Sequence, residues 1–459
     1  MKVPFTSPKL LLAAIVILII SPLANATPDL VILHINDCHG QLVNSGQDSG
    51  LIGGYPRLAS LIQGVRGEFP SQTLLLHAGD VLSRADTITI SSKGYANVAV
   101  FDALEVDAWT PGNGDFYWGM QPLLALRDAA KTPMIHANVR WKSTDPSKNN
   151  ELPFKPYVIK DINGYKIGLL GLGVVRTDHF SALNLQLDNA VEVAEIMIPQ
   201  MRMQCDIVIV LSHLGLPDDQ HLAGNVNGID VIVGGHTHSV LETAEVHLSP
   251  DGERDVLLVQ AGDYGRYLGR LELYFEQDSN GGFRIHRHHS SLMPVTEDIT
   301  PDPSIEQLLE PYLDSADEVV FNMETKPGNI RVNVARAICQ QVGADVGILL
   351  ETDITNEFPP GPVTRGQLSS LHSFYNDILL AQIDGDALAV ILALAQIVYA
   401  DKSGNIHWKP SPEETYTVAV GSFAYISTPE LARYPVEETG ITITEVIVSN
   451  ETREIIFQE

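Results

Sequence analysis

The sequence predicts an α/β protein of two domains, the second smaller than the first. Three observations lead there. From residue 27 to about 296, short apolar runs alternate with helical patterns and Gly or Pro turns, as layered α/β packing requires. The pattern breaks at Thr296-Glu-Asp-Ile-Thr-Pro-Asp-Pro303 and an α/β pattern resumes from about residue 325. Residues able to ligate metals sit where the apolar runs end, and strand ends are where such layers present functional groups.

The first segment, residues 1–26, reads as a secretory signal peptide. It carries Lys2 and Lys9, an apolar run from Leu10 to Ile20 and the small-residue pattern Ala24-Asn-Ala26. The run is short for a membrane span, so a periplasmic or secreted protein free of the membrane after cleavage is expected. The formal net charge of −28 argues against a nucleic-acid partner, because no basic stripe is present to release phosphate counterions. Three cysteines, Cys38, Cys205 and Cys339, are too few for a disulfide-stapled scaffold. Cys38 is expected to be a small buried residue.

The domain expected over 27–296 begins with Leu30-Val-Ile-Leu-His-Ile-Asn36, a strand that runs into Asp37 and His39. Thr73-Leu-Leu-Leu-His77 leads to Asp80, and Asn113 likewise follows an apolar run. Lys166-Ile-Gly-Leu-Leu170 and Asp206-Ile-Val-Ile-Val-Leu211 are further strands, the latter ending just before His213. Ile229-Asp-Val-Ile-Val233 leads into His236 and His238. Asp-x-His and His-x-His put two ligands on one side of an extended segment. Two carboxylates, one amide and four imidazoles make a mixed N/O set suited to two divalent ions of the Mn, Fe, Zn or Co kind.

A linker over 297–324 holds a helix expected from Ser304 to Val320, with acidic residues near its start. The domain over 325–459 should open with a helix from about Asn329 to Val342. The basic cluster Arg284-Ile-His-Arg-His-His289 is expected to be the solvated face of a late strand.

Six stretches carry a family resemblance: Asp37-Cys-His-Gly40, Ala78-Gly-Asp80, Pro111-Gly-Asn113, Leu211-Ser-His-Leu-Gly215, Gly228-Ile-Asp-Val-Ile-Val-Gly-Gly-His-Thr-His238, and the segment from Val259 to Arg270. In this order they resemble the binuclear metallophosphoesterase domain of the 5′-nucleotidase family, within the calcineurin-like superfamily. The C-terminal segment resembles the nucleotidase C-terminal domain in Gly343-Ala-Asp345, Gly361-Pro-Val-Thr-Arg365, Phe374-Tyr-Asn376 and Asp384-Gly385.

The resemblance implies a four-layer sandwich of two mixed sheets between helices, followed by a smaller α/β domain. It implies one ion on Asp37, His39, Asp80 and His238, and a second on Asp80, Asn113, His213 and His236, with Asp80 bridging. The implied reaction is attack of a bridging hydroxide on a small-molecule phosphoester, a nucleotide being the first expectation.

Two departures bear on substrate. Where the family has Gly-Asn-His-Glu-Phe-Asp, this chain has Gly112-Asn-Gly-Asp-Phe-Tyr117, so Gly114 replaces the acid and Tyr117 its partner. Arg84, Asp115 and Tyr117 are the candidates to act instead, Arg84 as a bidentate oxyanion clamp. In the second domain the family's Gly-rich signatures are missing, which leaves Phe374, Asn376 and Phe423, or Tyr425, as the residues to meet a base. The altered loop also resembles that of a thiosulfohydrolase, so a phosphodiester or sulfur ester is the alternative substrate. Ligand recognition without turnover is the non-enzyme alternative.

Overall fold

The structure is a computed structural model that describes residues 27–43, 50–83, 86–142, 151–174, 185–277, 281–324, 326–354, 360–372 and 376–458. The expected signal peptide, Arg84 and Phe374 lie outside the described residues.

The period-2 alternation of the strand Leu30–Ile35 builds the first two layers. Leu30 and Ile32 point into one core with Leu74 and Leu76. Val31, Leu33 and Ile35 point into another with Leu58, Ile62 and Phe101 of two outer helices, Tyr55–Glu68 and Tyr95–Ala103. The first sheet runs Phe283–Pro294, Tyr267–Gln277, Leu30–Ile35, Thr73–His77, Ala108–Trp109. A second sheet runs Glu245–Leu248, Asp255–Val259, Val231–Val233, Ile207–His213, Tyr165–Gly173, Tyr157–Ile162.

Ile167, Ile209 and Val231 of the second sheet face Leu30 and Leu74 of the first in one dry core. On its other face Leu170, Val208 and Ile232 meet the helices Ala190–Arg202 and Leu216–Asn225. The result is helix, sheet, sheet, helix: the four expected layers.

Within the first sheet Leu30–Ile35 pairs parallel with Thr73–His77, and Thr73–His77 with Ala108–Trp109. In the second, Ile207–His213 and Val231–Val233 are also parallel neighbours. Parallel strands end on the same side, so the residues following them are delivered to one place.

The helix Pro303–Asp317 is capped by Asp302, whose side chain accepts from the Ser304 and Ile305 amides, and it buries Ile305 and Leu309 in the first domain's core. The chain then turns extended at Glu318, and Val319–Met323 pairs antiparallel with Gly361–Thr364. The helix Ile330–Val342 follows, capped by Asn329 and ended by Gly343 at φ 72°.

The second domain's sheet runs Ile397–Asp401, Val346–Leu350, Thr415–Gly421, Asp377–Asp384, Val436–Thr442, with an apolar core on each face. Its Gly421 and Asp377 ends face the first domain. There Lys93 pairs with Glu445 at 2.8 Å and the Tyr117 ring tilts on Phe423. The basic cluster lies on the edge strand Phe283–Pro294, where Arg284 pairs with Glu276 and Arg287 covers the Tyr274 ring. All three cysteines are free and buried.

Candidate metal centre

Every predicted ligand lies at or just past the end of a parallel strand, and the turns that present them are tight. Asp37, His39, Asp80, His236 and His238 all have left-handed backbones, with φ between 48° and 73°. Side chains rarely adopt that region, and such residues cluster where the surrounding structure holds a site. The motif glycines have a steric cause. A Cβ on Gly112 would stand 2.2 Å from Asp80 Oδ1 and 2.5 Å from His213 Nε2, and one on Gly79 would stand 2.4 Å from His213 Nδ1.

The ligand atoms converge in two groups that share Asp37. In the first, Asp37 Oδ1 is 4.0 Å from His39 Nε2 and 3.6 Å from His238 Nε2, and the two imidazole nitrogens are 2.9 Å apart. In the second, His213 Nε2 is 3.9 Å from Asp37 Oδ1 and 3.3 Å from Asp80 Oδ1. Metal bonds of about 2.0–2.2 Å separate two ligands of one ion by roughly 3–4 Å, so both groups have the right size. Asp80 lies between the rings, its Oδ2 being 3.9 Å from His39 Nδ1. The His236 ring packs on His213 at 5.2 Å, outside both groups.

Each side chain is turned by a second partner. His39 Nδ1 meets Ser83 Oγ at 2.8 Å, His238 Nδ1 meets Asp263 Oδ2 at 3.1 Å, and His213 Nδ1 meets the Ala78 carbonyl at 2.7 Å. Those contacts leave the three Nε2 atoms to face the centre. Asp37 Oδ2 accepts from Asn36 Nδ2 and the His236 amide, which leaves its Oδ1 buried without a hydrogen-bond partner. Asn113 donates from Nδ2 to the Tyr117 hydroxyl at 2.8 Å, and its Oδ1 is likewise buried and unpartnered. Unpaired buried acceptors are costly unless a cation or donor meets them. This donor set therefore fits a pair of divalent ions.

The electrostatics agree. Burial lifts Asp37 to about 6, against the pull of His213. Burial also acts on Asp80, but His213, His39 and the Gly114 amide outweigh it and hold that carboxyl below its ordinary value. Burial opposes charge on His213, yet Asp80 and Asp37 lift its ring to about 10. The buried carboxylates thus draw positive charge into a place that solvent does not reach.

Among the candidates for proton or oxyanion chemistry, Asp115 is fully buried and accepts from the Val81, Leu82 and Gly112 amides at 2.8 Å each. It ties the Asp80 turn to the Asn113 turn. Tyr117 is partly buried, beside Asn113. Asn376 is fully buried, with neither end of its carboxamide hydrogen-bonded. Phe423 lies 5.4 Å from Tyr117, ring to ring. Tyr425 is buried and donates to the Tyr434 carbonyl, within the domain. Sequence reasoning missed Ser83, Asp263 and Asn36. Asn36 and Asp263 border or lie within quoted stretches, whereas nothing local marks Ser83.

Residues 30–240, which contribute to all four layers and hold the candidate centre, match the calcineurin-like phosphoesterase family. Residues 314–425 match the 5′-nucleotidase C-terminal domain, so both parts of the chain resemble those of the 5′-nucleotidase family. It is 26% identical over 408 residues to a trifunctional nucleotide phosphoesterase protein of Bacillus subtilis, a match covering 78% of this chain and 27% of that protein. It is 31% identical over 302 residues to human 5′-nucleotidase, covering 60% of this chain and 51% of that one. The matches thus span about half, or less, of those relatives' lengths. A 5′-nucleotidase precursor from Thermus thermophilus has the same fold, with a TM-score of 0.63 at 21% identity over 94% of this chain and 97% of that one.

Proposed function

We propose that the protein is an exported hydrolase of small phosphoesters, a nucleotide first among them, working with two divalent ions. The observation that carries this reading is the pair of ligand groups meeting at Asp37, with the Oδ1 atoms of Asp37 and Asn113 buried and unpaired. Asp37, His39 and His238 would hold one ion; Asp80, Asn113, His213 and His236 would hold the other, with Asp80 reaching both. Such a pair supplies a water acidified toward neutral pH and neutralises the transferring oxygens.

The chain's own residues orient and enclose. Asp263, Ser83 and the Ala78 carbonyl fix which imidazole nitrogen each ring presents. Asp115 holds the two ligand turns in register and is a positioning residue. Tyr117 is assigned to the reacting group, because its hydroxyl lies beside the Asn113 ligand. Arg84 is assigned to an oxyanion, four residues after Asp80. Phe374, Asn376 and Phe423 are assigned to the nucleoside side.

The test is a panel of nucleoside monophosphates, an aryl phosphate, an aryl diester and an aryl sulfonate ester, offered to the purified protein with Mn, Co or Zn. Metal-dependent release of phosphate, lost on chelation, is expected. Absence of turnover with every metal and every substrate would overturn the assignment.

A further inference from the structure

The loop that carries Asn113 is anchored from both domains. On the first domain's side Asp115 binds the Val81, Leu82 and Gly112 amides. On the other side the Tyr117 ring rests on Phe423 at 5.4 Å, inclined 59°, and Phe423 belongs to the second domain's helix Ser422–Ser427. The loop's end is confined as well: a Cβ on Gly119 would stand 3.3 Å from Asp377 Oδ2, also of the second domain.

Asn113 is the ligand most in need of such support. A carboxamide presents oxygen or nitrogen to a site according to a flip of about 180°, and only the oxygen binds a cation. The Tyr117 hydroxyl accepts from Nδ2 at 2.8 Å, and in the carboxamide orientation this contact holds, Oδ1 is buried without a hydrogen-bond partner, as a cation ligand requires. Tyr117 can do so only while its own ring is held, and Phe423 packs against that ring.

We propose that the second domain, through Phe423 and then Tyr117, orients Asn113 and so sets the affinity of the metal position that Asn113 serves. The proposal rests on the two-ion reading above. Phe423 is then a positioning residue acting across the domain seam. By linkage, the ion at that position strengthens the seating of the second domain by the same factor. A contact that merely docked the domains would change stability and leave metal affinity alone.

Calorimetric titration of the full chain with Mn decides between them. Wild type should take up two ions. Tyr117→Phe keeps the ring contact and removes the acceptor, so one ion should bind about 10-fold more weakly and the other as before. Phe423→Ala should weaken the same ion about 3- to 10-fold, while Phe423→Tyr should stay near wild type. Combining Phe423→Ala with Tyr117→Phe should cost little beyond the worse single change.

If Phe423→Ala left both affinities within twofold of wild type, the proposal would be overturned, whatever the effect of Tyr117→Phe. Should Phe423→Ala fail to fold, as near-ultraviolet circular dichroism would show, Phe423→Leu, which keeps apolar bulk and loses the ring contact, takes its place with the same expected weakening of one ion. Wild type binding fewer than two ions would instead remove the underlying two-ion reading, and the proposal with it.

Discussion

At position 114 the centre has been rebuilt around a missing side chain. A Cβ there would stand 2.2 Å from Ser83 Oγ, 2.5 Å from Ser83 Cβ and 2.9 Å from Asp80 Oδ1. Ser83 is 4% exposed and its hydroxyl holds His39, so it has little freedom to withdraw. Gly114→His should therefore cost about 1–3 kcal/mol as overpacking, and Gly114→His with Ser83→Gly should recover most of it. Chemical denaturation measures both, and a single variant as stable as wild type would contradict the account. The candidate ligands could be picked out of the sequence because each is a chemically distinctive residue at a strand end. Ser83 was not, because its partner His39 lies 44 residues away and only folding joins them.

The strand Val346–Leu350 ends in a buried acid. Asp353 accepts the Leu350 amide on Oδ2, its carbonyl accepts from His372 Nδ1, and its Oδ1 has no partner. Burial lifts it from 3.8 to about 7. The native state then keeps a proton that the unfolded chain releases near pH 4, so stability falls as pH rises from about 4 to about 7 and levels off above. Asp353→Asn keeps an acceptor for Leu350 and removes the titration. Its gain in unfolding free energy should be roughly 2–3 kcal/mol larger at pH 8 than at pH 5. An equal effect at both pH values would contradict the assignment.

Elements with local signals were readable in the chain, such as the helix Ile330–Val342 between Asn329 and Gly343. Val319–Met323 was not. Its strand character comes from a partner at Gly361–Thr364, so the helix expected to reach Val320 stops at Asp317.

Across the whole molecule, the parallel strand ends of two stacked sheets meet at one point, and the second domain touches the loop beside it through Phe423. The two-domain α/β order was visible in the alternation of patterns and its break near residue 300. The seam was hidden, since it depends on how the domains sit. There Gly366 packs under the Ala316 carbonyl and Thr87, where a Cβ would come within 2.9 Å of that carbonyl. The Lys93–Glu445 pair adds little, being 48% and 41% exposed.

Anomalous diffraction from crystals grown with Mn or Zn would show the proposed dinuclear centre itself. Two ions roughly 3.5–4 Å apart are predicted. One should lie against Asp37, His39 and His238, the other against Asn113, His213 and His236, with Asp80 touching both. A single ion, or two ions placed elsewhere, would contradict it.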